Sequence, residues 1–306
     1  MKKVTLLIKD IVDYLGEQVQ QIYGDDNNGL IIDNLSDIEH VNETSLDWIN
    51  PSRLDKQTIA ECSKAKVLLV DSSIVYSEKM KLGGKVLVVV LNPKIALAKI
   101  GNYFFVDDIE PSIHPTAIIH QDAIIGRNVN IGAYTVIGKC FIGDNTWVDS
   151  NVRIDDDTFL GNNCIIKSGV VLGSAGFGFE KDENGNLFRF PQIGKLKIGC
   201  YVEIGANTCI DRGALSDTIV DDYTKINNLC HIAHNNKIGK NVIITAHVNI
   251  SGSNVIEDNV WIAPNSSIRG WVHIGKGATI GMGAVVTKDV PAGEIWVGNP
   301  AKKLEK

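Results

Sequence analysis

Two histidines three residues apart, His231 and His234, stand in the asparagine-rich stretch NNLCHIAHNN, residues 227–236. An imidazole changes charge near neutral pH, which suits it to taking a proton from a nucleophile and giving it back. A histidine pair can also hold a metal, but zinc wants three or four converging ligands. No cysteine or carboxylate spacing completes such a set here, so the sequence predicts no metal site. Gly252 lies eighteen residues beyond His234, and Gly270 eighteen beyond that. If eighteen residues make one structural layer, an imidazole sits one layer from a backbone N–H with no side chain in front of it. A base beside a free N–H donor is the minimum for acyl transfer, in which a proton leaves the nucleophile while an oxyanion develops. The bland reading is a solvent-exposed histidine on a corner.

The rest of the chain predicts that layer. From Ile113 an aliphatic residue recurs every six positions, at Ile119, Ile125, Ile131 and Ile137, then after one five-residue step at Ile142, Val148, Ile154, Leu160, Ile166 and Leu172. It resumes at Ile198, Ile204 and Ile210, skips, and runs from Val220 through Ile280 without a break. A period of six fits neither a helix nor a plain strand; it fits a solenoid in which each hexapeptide makes one short face and a turn, three to a coil. About 25 hexapeptides make roughly eight coils and, at ~4.8 Å between stacked strands, a prism on the order of 40 Å long. In this register His231 is the last residue of one hexapeptide and His234 the third of the next, directly in line with Gly252. His247, the fourth residue of the hexapeptide beginning at Ile244, falls on the neighbouring face and is a secondary candidate.

Two interruptions stand out because a solenoid extrudes what does not repeat. The larger, SAGFGFEKDENGNLFRFPQIGKLK at residues 174–197, flanks a polar tip with Phe177, Phe179, Phe188 and Phe190 and predicts a loop covering a substrate or subunit, with Gln192 on its return arm. Before the repeat, residues 1–108 read as a small α/β domain: VTLLIKDIVDYL has helical spacing, AKVLLVD and GKVLVVVL are short buried strands, and NPKIALAKIGNYF is a helix. Residues 109–306 form the second domain. A net charge of −6 with both signs interspersed gives no basic stripe, which argues against a nucleic-acid partner. No run approaches the length of a membrane span, and the amino terminus lacks a signal-peptide core. Six scattered cysteines without a CxxC pair suggest reduced thiols and a cytoplasmic protein.

The segments GFGF, FPQIGKLKIG, VEIGANTCIDRGALSDT and NNLCHIAHNNKIG followed by ISGS closely resemble the UDP-3-O-acylglucosamine N-acyltransferases of lipid A synthesis, within the hexapeptide-repeat acyltransferases. The resemblance covers about 90 central residues. It implies a mainly β fold, a left-handed parallel β-helix preceded by a small uridine-recognising α/β domain, assembled as a homotrimer with sites between neighbouring prisms. It also implies that His234, the histidine of IAHN, is the general base and that the N–H of Gly252 holds the oxyanion. In the first domain, WINPSR offers Trp48 and Asn50 for nucleotide binding.

Departures from the family shift the expectation. Asn227 stands where the family has an aspartate, and Trp271 follows Gly270 where the family has a second histidine. The ending IGMGAVVTKDVPAGEIWVGNPAKKLEK resembles sugar acetyltransferases that use acetyl-coenzyme A, with Trp271 and Lys288 as donor-binding candidates and Lys302 and Lys303 facing phosphates. The main reading is therefore an N-acyltransferase moving an acetyl or other short acyl group from coenzyme A to a nucleotide-linked amino sugar, with no permanently bound cofactor. The alternatives are a true lipid A enzyme drawing 3-hydroxyacyl groups from acyl carrier protein, and a non-catalytic solenoid scaffold.

Overall fold

The computed structural model describes residues 2, 4–25, 29–37 and 39–305. The chain divides into two compact units, Met1–Ile109 and Glu110–Lys306.

In the first unit, strands Leu46–Trp48, Val67–Val70 and Val86–Val90 run parallel, with Val19–Tyr23 added antiparallel at one edge. The uninterrupted apolar runs of the two inner strands have a physical cause: both sheet faces are covered. Val67, Leu69, Val86, Val88 and Val90 point into a cluster with Ile8, Ile11 and Leu15, while Leu68, Val70, Leu87 and Val89 point into another with Ile59 and Met80. Helix Pro93–Ile100 begins as its sequence dictates, Asn92 accepting the Ile95 N–H at 3.1 Å and proline filling the first turn. The amino-terminal helix is shorter than its spacing predicts. It spans Ile8–Leu15, because Leu6 and Leu7 pair as a strand with Ile32 and Ile31 and Asp10 accepts the Leu7 N–H at 2.8 Å.

The second unit is a parallel β-helix. Among the described residues its strands stack into three faces. Face one holds nine strands from Ile118–Ile119 to Val285–Val286, and face two eight from Ile124–Ile125 to His273–Ile274. Face three holds ten from Asn130–Ile131 to Lys302–Lys303. The aliphatic residue of each hexapeptide forms the dry interior, and Ile154, Ile166, Ile232, Ile250 and Ile262 are wholly buried. Most corners turn through one left-handed residue, commonly asparagine, which tolerates that conformation better than other residues with a Cβ. The five-residue step from Ile137 to Ile142 omits it: no residue between Tyr134 and Asn145 has positive φ.

Both interruptions leave the prism at the same corner, between faces one and two. The first follows strand Val171–Ser174 and folds into a two-stranded antiparallel hairpin, Phe179–Lys181 against Leu187–Arg189. Its DENGN tip closes on Asp182, whose carboxylate accepts the N–H groups of Asn184 and Asn186. The second follows Cys209–Asp211 in the next coil. The two are tied together: Ile193 N–H donates to the Ala214 carbonyl at 2.7 Å, and Arg212 Nε to the Gly194 carbonyl at 2.7 Å.

Candidate active site

One coil above the second insertion, the corner between faces one and two is short again, and it carries His234. Above it in the same column come Gly252 with Ser253, then Gly270 with Trp271. The eighteen-residue register is therefore physical: His231 pairs with Asn249 and Ile232 with Ile250. The imidazole lies flat on Gly252. A Cβ there would sit 2.8 Å from Cε1, 3.0 Å from Nε2 and 3.1 Å from Nδ1, so only glycine lets the ring occupy this place. The flanking amides are engaged, Ser253 N–H donating to the His234 carbonyl and Ser251 N–H to that of Ile268. Among the described residues the Gly252 N–H donates to no acceptor.

Three asparagines fix this corner. Asn236 is buried, donates to the carbonyls of Ala233 and Ser251, and accepts the Asn254 N–H; Asn254 repeats the pattern one coil up, to Ser251 and from Val272. This internal amide ladder locks the backbone on either side of Gly252. Asn235 orients the ring. Its Nδ2 donates to the carbonyl and hydroxyl of Ser216 at 2.9 and 2.8 Å, which turns Oδ1 toward the Ala214 N–H at 3.0 Å and toward His234 Nδ1 at 2.8 Å. An oxygen in that position accepts, so Nδ1 carries the proton and Nε2 is left with its lone pair. The tautomer follows from the network.

Neither Asn235 with Ser216 nor the carboxylate nearby was singled out from sequence. Asp211, at the exit of the second insertion, is 7% exposed; it accepts the Ser174 hydroxyl at 2.9 Å and faces His231 Nε2 at 3.9 Å. Burial pushes its carboxyl up, opposed by the Ser174 hydrogen bond and by the fields of His231 and His234. The DRGALSDT segment carried this signal, but only as part of a motif.

Over His234 opens a cavity of 910 Å³. Phe177, Phe179, Leu187 and Phe190 of the hairpin wall one side and Trp271 another, with Gln192 and Asn235 in the lining. Phe177 and Phe179 meet edge to face at 4.9 Å between centroids, and Arg189 lies over the Phe179 ring at 4.7 Å. The structure thus brings together His234, Gly252, Phe177, Phe179, Gln192 and Trp271. It leaves out two other candidates. His247 is exposed at the corner between faces three and one, in a left-handed turn rather than on a face. Lys288 is exposed and does not line the cavity.

Trp48 and Asn50 lie in the first unit, on a cavity of 510 Å³ shared with Asp37, Asp47, Arg53 and Lys64. Trp48 packs partly on the sheet's core and presents its ring to Lys94, 6.0 Å from the centroid. Asn50 Oδ1 accepts the Ser52 N–H, and Arg53 is held by Asp55 at 2.8 Å.

A family model described as Bacterial transferase hexapeptide (six repeats) matches residues 139–174 and 255–288. Over 147 residues the chain is 46% identical to the UDP-3-O-acylglucosamine N-acyltransferase of Methylobacterium nodulans, covering 48% of this chain and 42% of that one. It is 42% identical to the enzyme of the same name from Caulobacter sp. (strain K31), over 48% and 43% of the two chains. This chain thus spans less than half the length of these relatives. Among solved structures, the UDP-N-acetylglucosamine O-acyltransferase of Moraxella catarrhalis superposes with a TM-score of 0.58 at 27% identity, over 63% of this chain and 73% of that one. The corresponding acyltransferase of Francisella novicida gives 0.57 at 27%, over 63% and 68%. These findings bear out the resemblance and the β-helix read from the sequence. They correct the expected donor. Acetyl-coenzyme A gains no support, and the relatives favour the alternative. The cavity is in keeping with this, since Phe177, Phe179, Leu187, Phe190 and Trp271 line it with apolar surface of the kind an acyl chain buries.

Proposed function

We propose that this chain transfers a long acyl group from a thioester, carried by acyl carrier protein, to the amine of a UDP-linked 3-O-acylglucosamine. The observation that carries the reading is the imidazole stacked on Gly252, with Nε2 unprotonated at the floor of an apolar cavity. The names of the relatives supply the substrate class.

The reaction follows from the geometry. The amine attacks the acyl carbon, a C–N bond forms, and His234 Nε2 takes the proton released from nitrogen. The carbonyl oxygen becomes an oxyanion, which the Gly252 N–H stabilises. The C–S bond then breaks and the proton on Nε2 passes to the departing thiolate. Asn235 keeps Nδ1–H pointing away from the reaction, and the Asp211 carboxylate, when ionised, favours the imidazolium that forms between the two transfers. Trp271 and the hairpin phenylalanines bind the acyl chain, and Trp48 with Asn50 receives the nucleotide base.

We further propose a homotrimer, in which an exposed corner such as that of His247 contributes to a neighbouring subunit's site, and a cytoplasmic setting in which the six thiols stay reduced. Lys288 keeps at most a surface role toward the donor. No helix among the described residues is long and apolar enough to cross a membrane.

The test is thiol release by the purified protein, with 3-hydroxyacyl carrier protein and with acetyl-coenzyme A in parallel against UDP-3-O-acylglucosamine. Turnover with the carrier protein that disappears in His234→Ala supports the proposal. Turnover with acetyl-coenzyme A alone sinks the donor assignment, and full activity in His234→Ala sinks the mechanism.

A further inference from the structure

Gln192 carries a polar atom that the mechanism above leaves unused. Its Oε1 is buried and, among the described residues, accepts no hydrogen bond, while its Nε2 donates weakly to the Phe190 carbonyl at 3.4 Å. A buried acceptor without a donor is uncommon and calls for a reason. The position of this one suggests it. The amide lies against both glycines of GFGF. A Cβ on Gly178 would meet Gln192 Nε2 at 3.0 Å; one on Gly176 would meet Gln192 Oε1 at 2.8 Å and, on His234, Cβ at 2.9 Å and Cδ2 at 3.0 Å. Gln192 Oε1 and the His234 side chain thus both border Gly176. Cδ2 is the ring atom bonded to Nε2, and Gln192 lines the same cavity as His234.

We propose that Gln192 Oε1 is the second acceptor for the attacking nitrogen and sets a preference for N- over O-acylation. This rests on the acyl-transfer reading given above. A primary amine that directs its lone pair at an acyl carbon still has two N–H bonds to place. His234 Nε2 takes one, and in a site walled by aromatic rings the other needs an acceptor from the protein. Gln192 is the lining residue whose oxygen is both buried and unengaged. A hydroxyl has one O–H, which goes to His234, and then leaves Gln192 Oε1 buried and unpaired; sites that reserve a polar group for a substrate hydrogen discriminate against analogues that lack it. The GFGF arm covers this oxygen, so the proposal requires the arm to lift off Gln192 before the amine reaches it. The two glycines give the arm a backbone with no side chain to strip from the amide.

The experiment compares wild type, Gln192→Leu and Gln192→Glu on UDP-3-O-acylglucosamine and on the analogue bearing a 2-hydroxyl in place of the amine, with one acyl donor throughout. Gln192→Leu is expected to lower kcat/KM for the amine by about 10- to 100-fold, mainly in kcat, and to leave the hydroxyl analogue's slow turnover unchanged. Gln192→Glu keeps an acceptor of the same shape and is expected to restore most of the amine activity. An equal loss on both substrates, or a loss that Glu does not rescue, would mean that Gln192 only latches the hairpin, and the inference fails. Unchanged amine turnover in Gln192→Leu overturns it as well, with the acyl-transfer reading intact. Wild type that acylates neither substrate overturns that reading and this inference together.

Discussion

Two corners of the prism turn through the same backbone conformation and do different things. Between faces two and three the left-handed position is Asn128, Asn145, Asn163, Tyr201, Tyr223, Asn241 and Asn259 in successive coils, and the repeat never breaks. Between faces one and two it is Asp157, Asn235, Ser253 and Trp271, interrupted by two excursions of the chain. The solenoid itself does not distinguish them, since each coil closes equally well at either corner. The candidate site gathers where the chain leaves the repeat and folds back, because there side chains from outside the column cover an edge. The lesson is that the coil supplies position and, under the proposed function, the insertions supply selectivity.

The sharpest way to break the comparison is to substitute matched residues at the two corners. His234→Ala is expected to reduce acyl transfer by about 10²- to 10⁴-fold with little change in Tm, whereas Asn241→Ala, at the plain corner, should leave turnover intact and cost about 1–2 kcal/mol of stability by placing alanine in a left-handed turn. Thermal melts and thiol-release rates on both variants decide it. Equal effects on activity would mean that the corners are not functionally distinct.

Glycines sharpen it next. A Cβ at Gly252 strikes the imidazole, while a Cβ at Gly239, at the other corner, strikes the Asp258 carboxylate at 2.6 Å and its backbone nitrogen at 2.8 Å. Gly252→Ala should therefore displace the base and lower kcat by roughly 10²-fold while the protein stays folded. Gly239→Ala should show mainly as a lower Tm.

Much of this was legible beforehand, for a specific reason. Ile232, Ile250 and Ile268 are interchangeable units of one column, so a count of eighteen residues placed His234 on Gly252 without any knowledge of shape. Counting cannot cross an insertion. Asp211, Ser216 and the burial of Gln192 Oε1 all belong to segments whose lengths break the period, and their partners lie across the gap: Ser174 with Asp211, Asn235 with Ser216. His247 shows the other limit. A fourth hexapeptide position was read as lying on a face, yet the short strands end three residues earlier and the position is a corner. In the first unit, the helix was placed too early because the strand pairing of Leu6 and Leu7 with Ile31 and Ile32 is non-local.

Smaller effects probe the burial that separates core from corner. Asp211 has a folded-state pKa raised above its unfolded value by burial. A carboxyl of this kind contributes stability below its unfolded pKa that is lost as pH rises through the folded one. Asp211→Asn should thus raise Tm slightly at neutral pH, with the difference from wild type closing as pH falls toward 4; a difference that widens in acid would contradict the buried, ionised carboxylate. Least demanding is a thiol titration at pH 8. Burial pushes Cys140 up to about 12 and Cys164 up to about 11, so both should stay silent until the protein unfolds, while exposed Cys62 reacts at once.

The two insertions leave from one corner in adjacent coils, and that placement has an evolutionary consequence. Every other residue in a coil is constrained by a neighbour above and below, so a change in length almost anywhere would shift all later coils out of alignment. An excursion that departs and returns at a corner leaves the alignment intact. Its length and composition are then free to drift while the column beneath keeps folding. If the proposed function holds, a lineage of such proteins can acquire new acyl specificities by revising a few dozen residues at one edge, and the same economy makes this hairpin the natural place to graft a different specificity by design.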